Sequence, residues 1–167
     1  RYGLITGMDV ANNVGMASLR KFLNAFGIID DARVSEAAQQ QVTALAVKTP
    51  SVKQKVRNLS GGNQQKVVIA KWLMNQPRII LLNDPTRGID VGTKQEIYQL
   101  LRRLADEGAA ILFYTSELPE IQAACDRCIV IFGGRVVDVI DAADATEPIL
   151  MRAAYGLTAA DRAGDAA

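Results

Sequence analysis

Histidine is absent from this 167-residue chain, and cysteine occurs only twice, at Cys125 and Cys128. With no histidine and no second cysteine pair, the C-x-x-C spacing supplies at most half of a zinc site. A redox pair is the other chemical reading. The plainer one has Cys125 ending a helix and Cys128 entering a buried strand, and it is preferred because free cysteine is usually a small buried hydrophobe. Such cysteine use suits a reduced, cytoplasmic setting. A basic block is missing too: 19 basic and 18 acidic residues are interleaved and leave a net charge of +1. That balance lacks the electrostatic footprint of a nucleic-acid binder, so no nucleic acid is expected as a partner. No apolar run approaches the roughly 18 residues that cross a membrane, and no signal-peptide pattern is present. The sequence opens on Arg1 rather than Met, which reads as an excerpt from a longer polypeptide or as a trimmed product; both readings stay open. No internal repeat is found.

What is present is ample apolar material: 49% of residues are hydrophobic, enough to bury a core, and the length suggests one domain. Asp9 is placed to cap a helix running to about Phe22. Asp30 or Asp31 caps a second, with Val34, Ala38, Val42 and Leu45 at near-helical spacing, and Lys48-Thr49-Pro50-Ser51 breaks it. The pattern then changes. Ile79–Leu82 is continuously apolar, as a strand buried on both faces should be. Asp90 or Gly92 opens a helix to about Ala105, with Ile97, Leu100, Leu101 and Leu104 on one side. Ala109–Tyr114 reads as a second buried strand, Glu117–Ala124 as a short helix and Cys128–Phe132 as a third strand. Gly133-Gly134 joins that strand to Val136–Ile140 as a two-residue hairpin. The alternation implies an α/β fold with a parallel sheet of about three strands and an antiparallel ribbon at its end. The expected divisions are a helical part over 1–76, a sheet part over 77–150 and a loose tail over 151–167. Parallel sheets are usually larger than three strands, which again suggests an excerpt.

One stretch raises a chemical question. Asn58–Leu73 reads NLSGGNQQKVVIAKWL, a helix opened by Ser60-Gly61-Gly62. A helix N-terminus offers unpaired N–H groups and a partial positive charge. Glycines there let an anion approach the backbone, and a serine hydroxyl adds a donor, so the tripeptide suits a phosphate cradle. Ser60 as an ordinary N-cap before a flexible joint explains the same three residues.

The neighbouring residues add to this. Leu59–Lys66, LSGGNQQK, resembles the signature motif of ABC-type ATPases. Arg78–Asp90, RIILLNDPTRGID, is similar to that family's Walker B strand and D-loop, and Tyr114–Glu120, YTSELPE, sits where the family has its switch loop. Order, spacing and intervening elements agree from about Tyr2 to Met151. The wording GGNQQK, PTRGIDVGTK and SELPE looks most like the second ATPase half of bacterial monosaccharide importers of the ribose, xylose and galactose class. The resemblance implies part of a P-loop NTPase (RecA-like) core with a parallel sheet, joined to an α-helical signature subdomain. It also implies ATP and Mg²⁺ as cofactors, a second ATPase half and a membrane permease as partners, and a periplasmic sugar-binding protein acting indirectly. The place implied is the cytoplasmic face of the bacterial inner membrane.

The family's P-loop, G-x-x-x-x-G-K-S/T, is not found. The nearest stretch, Gly88–Lys94, has three residues between its glycines, inverts the final pair, and sets Asp90 where it would repel phosphate; it reads as a D-loop followed by a helix start. The Walker A part is therefore missing, and the resemblance makes Ser60, Gly61, Gly62, Asn63, Gln64 and Asp90 ATP contacts shared with a partner's P-loop. Three positions depart from the pattern. Asn83 stands where an Asp usually orients Mg²⁺, which weakens the metal position. Asp84 replaces the Glu that positions attacking water, on a shorter arm. Ser116 replaces the switch histidine. Asp84 and Ser116 are the catalytic positions, both degenerate. Each has a plainer explanation: Asn83 and Asp84 as turn formers before Pro85, and Ser116 as an N-cap with Pro119 in the first turn. The expected function is a sugar-importer ATPase fragment donating its signature motif to a competent partner site. The alternatives are a non-catalytic module that completes a partner's site, and a soluble ABC ATPase acting on nucleic acid or ribosomes, which the balanced charge disfavours.

Overall fold

The computed structural model describes residues 3–157. These form two compact units. The first runs up to Ile80 and includes Pro85–Ile111; the second holds Leu81–Asp84 and the chain from Leu112 onward.

The first unit is mainly helical. Helix α1 (Val10–Gly15) passes into a 3-10 segment, Met16–Phe22, kinked at Ser18. Then come α2 (Asp31–Ala44), α3 (Gly61–Leu73) and α4 (Val91–Asp106). The starts follow local chemistry. The Asp9 carboxylate accepts the Asn12 N–H at 2.8 Å, and Asp30 accepts the Ala32 and Arg33 N–H groups at 3.1 Å each. Each satisfies amides that the first turn leaves without carbonyl partners. Helix α1 packs on α2 and α3, and α3 on α4. Val10, Val14, Val34, Ala38, Val42, Val67 and Ile97 are all buried. At roughly 1.5–3 kcal/mol for each large side chain removed from water, burial on this scale fixes the helix faces. Two lysines lie inside as well. The Lys71 ammonium donates to the Gly3 carbonyl at 2.5 Å and sits 5.0 Å from the Trp72 ring centre.

Strand β1 (Ile79–Asn83) pairs with β2 (Ala110–Tyr114). The pairing is parallel. The Ala110 N–H donates to the Arg78 carbonyl near one end, and the Asp84 N–H to the Tyr114 carbonyl at the other, each at 2.9 Å. Helix α4 is the crossover that a parallel pair requires. Two expectations are corrected here. These strands are not buried on both faces: Ile79 is 68% exposed, Leu81 72% and Leu112 60%, because among the described residues nothing covers that side. Nor does the third strand join them.

That third strand, β3 (Arg127–Phe132), belongs to the second unit and pairs antiparallel with β4 (Arg135–Asp141) as a separate two-stranded sheet. Gly133 and Gly134 turn the hairpin with φ of 56° and 75°, the left-handed pair a tight two-residue turn demands. Short helix α5 (Pro119–Ala124) precedes it, and α6 (Glu147–Ala154) packs on β3. Ile121, Val130, Ile140, Leu150 and Ala153 make this unit's core. Helix α6 enters the stretch expected to be a loose tail; the remainder of that tail, 158–167, lies outside the described residues. Cys125 caps α5 and Cys128 lies in β3, both as thiols outside any disulfide, with burial pushing the Cys128 thiol upward. No helix among the described residues is long and apolar enough to cross a membrane.

Candidate functional site

Ser60 is the N-cap of α3, extended at φ −60°, ψ 158°, and its side chain is exposed at the head of the helix. Its hydroxyl oxygen receives the Asn63 side-chain amide at 2.8 Å and, more loosely, the Asn63 N–H at 3.4 Å. The other end of the Asn63 amide accepts the Lys48 N–H at 2.7 Å. Gln64 bends back to donate to the Leu59 carbonyl at 2.9 Å. Both amide side chains are thus engaged within the turn.

Gly62 has a packing reason as well as a chemical one. A Cβ there would lie 2.5 Å from Thr93 Cγ2, closer than real atoms approach. The first turn of α3 therefore presses on the first turn of α4. Thr93 is itself held by Asp90, the α4 N-cap: the Thr93 N–H and hydroxyl donate to its two carboxylate oxygens at 2.9 and 2.8 Å. These bonds keep the Asp90 carboxyl below its ordinary value. One turn further on, buried Lys66 donates to Glu96 of α4 at 2.6 Å and to the Ala46 carbonyl at 3.1 Å. Glu96 is held below its ordinary value first by the Lys66 hydrogen bond and then by the Lys66 charge, against the cost of desolvation, with a lesser pull from Lys48 opposed by the Asp90 charge.

The second unit holds the other candidate residues. Asn83 ends β1 with its side chain exposed. Asp84 follows at φ 44°, a left-handed conformation that Asp tolerates better than most residues. Its carboxylate oxygen Oδ1 accepts both the Ser116 N–H, at 2.8 Å, and the Ser116 hydroxyl, at 3.1 Å. Ser116 is therefore not the N-cap of α5. Leu118 occupies that position without a side-chain bond, and Ser116 turns to Asp84 instead. Behind it the Thr115 hydroxyl donates to buried Glu120 at 2.6 Å and accepts the Glu117 N–H at 2.9 Å. Asn83 adds no charge, and half of Asp84's carboxylate is occupied by Ser116. No group of three or more His, Cys, Asp or Glu side chains among the described residues is arranged to hold a metal. By themselves these residues do not fit a Mg²⁺ ion, which favours several anionic oxygens.

The sequence singles out Ser60, Gly61, Gly62, Asn63 and Gln64, and the structure gathers them at one helix head. It joins Asp84 to Ser116 and sets Asp90 at the start of α4. Thr93, Glu96 and Lys48 escape sequence reasoning. Lys66 left one signal: it lies four residues after Gly62, on the helix side that also carries Ile69 and Ala70, where a charge needs a partner.

A family model described as ABC transporter matches residues 3–87. The chain belongs to the ABC transporter family. Across 155 residues it is 51% identical to the ribose import ATP-binding protein RbsA 1 of Rhizobium etli, and 52% to that of Mesorhizobium japonicum; each match covers 93% of this chain and 30% of the relative. The corresponding protein of Rubrobacter xylanophilus is 42% identical over 149 residues, with 89% and 30% covered. The chain thus spans 30% of the length of these relatives. Among solved structures it resembles the ATP-binding cassette MJ0796, in a dimeric post-hydrolysis state with ADP and Pi. That match has a TM-score of 0.68 at 26% identity and covers 83% of this chain and 59% of the other. The ADP conformation of MJ1267, an ATP-binding cassette of an ABC transporter, shares the fold at a TM-score of 0.69 and 21% identity, with 88% and 60% covered. An ABC ATPase fold of the α/β class accommodates both the helical unit and the parallel pair.

Proposed function

We propose that this chain forms part of the ATP-binding subunit of a bacterial monosaccharide importer, and that its two turns have unequal roles. The head of α3 closes over the γ-phosphate of ATP held by the P-loop of a second ATPase half, with Ser60, Gly61 and Gly62 facing the anion. The turn bearing Asn83, Asp84 and Ser116 belongs to this half's own site and turns over ATP slowly. The single observation that carries the asymmetry is the Ser116 hydrogen-bond pair on Asp84 Oδ1. Both bonds fall on one oxygen, which leaves only Oδ2 to accept a proton from attacking water, on an arm one methylene shorter than that of Glu. Mg²⁺ and the P-loop lysine would come with the partner's nucleotide. The ribose import relatives support a membrane permease as neighbour, a periplasmic sugar-binding protein beyond it, and the cytoplasmic face of the inner membrane as the place of work.

The test is ATP turnover by the full natural protein assembled with its permease in lipid vesicles. Ser60→Arg, which sets a bulky side chain at the helix head, is expected to lower turnover at least a hundredfold, the scale of losing an oriented donor. Asp84→Asn is expected to change it by less than about twofold, the effect of about 0.4 kcal/mol. A large loss from Asp84→Asn overturns the asymmetry. Turnover left intact by Ser60→Arg overturns the placement of the α3 head over a partner's nucleotide.

A further inference from the structure

Asn63 stands among the residues that the motif resemblance assigns to ATP, yet both ends of its amide are engaged within the protein. The backbone N–H of Lys48 only donates, so the atom 2.7 Å from it must be the Asn63 carbonyl oxygen. That fixes the flip of the amide. The NH₂ end then faces the Ser60 hydroxyl oxygen at 2.8 Å and must donate to it. The Asn63 N–H approaches the same oxygen at 3.4 Å. With its oxygen accepting twice from inside the turn, the Ser60 hydroxyl donates to no acceptor among the described residues, which leaves its proton for an acceptor outside the turn.

We propose that Asn63 is a positioning residue: it does not touch the nucleotide, but forces the exposed Ser60 hydroxyl to act as a hydrogen-bond donor. A serine left to itself rotates, and a proton turned inward would present lone pairs to whatever lies outside. Facing a phosphate oxygen, that polarity is repulsive. The Lys48 N–H is thus the first member of a chain of three groups, Lys48 to Asn63 to Ser60, that ends on a hydroxyl able to donate. The inference rests on the reading of the α3 head given under Proposed function.

The discriminating substitution is Asn63→Asp. It is isosteric and still accepts the Lys48 N–H, so a purely structural role predicts that it is tolerated better than Asn63→Ala. A carboxylate, however, accepts the Ser60 proton and reverses the hydroxyl, whereas alanine leaves the hydroxyl free to rotate. In the full natural protein with its permease, Ser60→Ala is expected to lower kcat roughly tenfold to hundredfold, the equivalent of one hydrogen bond to a charged group. Asn63→Asp should match that loss near pH 8, and Asn63→Ala should fall between it and the natural protein. Asn63→Asp added to Ser60→Ala should produce little further loss, because both remove the same donor. As pH falls, Asn63→Asp should regain activity relative to the natural protein, since the protonated carboxyl again donates to Ser60. Thermal midpoints measured with and without ATP supply a second readout: the ATP-induced rise should shrink for Asn63→Asp while its nucleotide-free midpoint stays put. A Ser60→Ala loss with Asn63→Asp fully active, or with Asn63→Ala the worse of the two, overturns the inference alone. Full activity of Ser60→Ala overturns it together with the reading on which it rests.

Discussion

At the head of α3, the Asn63 side-chain amide and backbone N–H donate to the Ser60 oxygen and leave its proton unused; at the end of β1, Ser116 donates twice to one carboxylate oxygen of Asp84 and leaves the other. The two turns use the same materials, a small polar residue beside an amide or acid, with opposite polarity. In the first, internal hydrogen bonds prepare a donor. In the second they consume an acceptor. Whether a motif residue is available to a ligand is therefore decided by its neighbours' hydrogen bonds, and residue type alone does not reveal it.

The comparison breaks most readily at the α3–α4 contact. Gly62→Ala drives a methyl group into Thr93 and is expected to cost roughly 1–3 kcal/mol, lowering the thermal midpoint of the first unit. Adding Thr93→Ala removes the two nearest atoms and should restore part of the loss, less about 1 kcal/mol for the forfeited Asp90 bond. If Gly62→Ala proves neutral, the contact is looser than 2.5 Å implies. Asp84→Ala is expected to cost about 1–2 kcal/mol of stability, read as a lower thermal midpoint, through two lost hydrogen bonds and an alanine held at positive φ. Asp84→Gly should do less harm because glycine accepts that backbone freely. Equal damage from both would mean that the backbone conformation contributes nothing.

The Lys66–Glu96 pair predicts a smaller, pH-dependent effect. Glu96 titrates below its ordinary value in the folded chain. Its contribution is therefore present above the unfolded carboxylate value and fades as pH falls through the folded one. Glu96→Gln should lower the thermal midpoint at neutral pH, and the gap from the natural chain should close on acidification. A gap that persists well below the carboxylate range would assign the stabilisation to something other than the ion pair.

Locally encoded features were legible in the sequence. Asp9, Asp30 and Asp90 cap helices because an acid one residue before a helix needs only its own first turn. Gly133-Gly134 turns a hairpin for the same reason of short range. The sheet was less legible. An apolar run marks residues suited to burial, but Ile79 and Leu81 show that it does not say how many faces are covered or which strand lies alongside. Helix α6 was not read from the sequence: its second half falls in the stretch taken as a loose tail, although Pro148 suits a first helical turn. At the candidate sites the motif residues were visible, while Thr93, Glu96 and the Asp84–Ser116 bond were not. Those contacts join residues some thirty apart in sequence, and no periodicity records them.

Lys66 and Lys71 carry a practical consequence. Both residues are enclosed, at 4% and 7% exposure, and both ammonium groups donate to backbone carbonyls inside the first unit. An amine-reactive reagent will acylate surface lysines at once and reach these two only when the helices part. Their labelling rates, read by peptide mass, form a built-in clock for opening of the first unit. The same clock, run with and without nucleotide, would report how far an event at the head of α3 tightens the helices behind it.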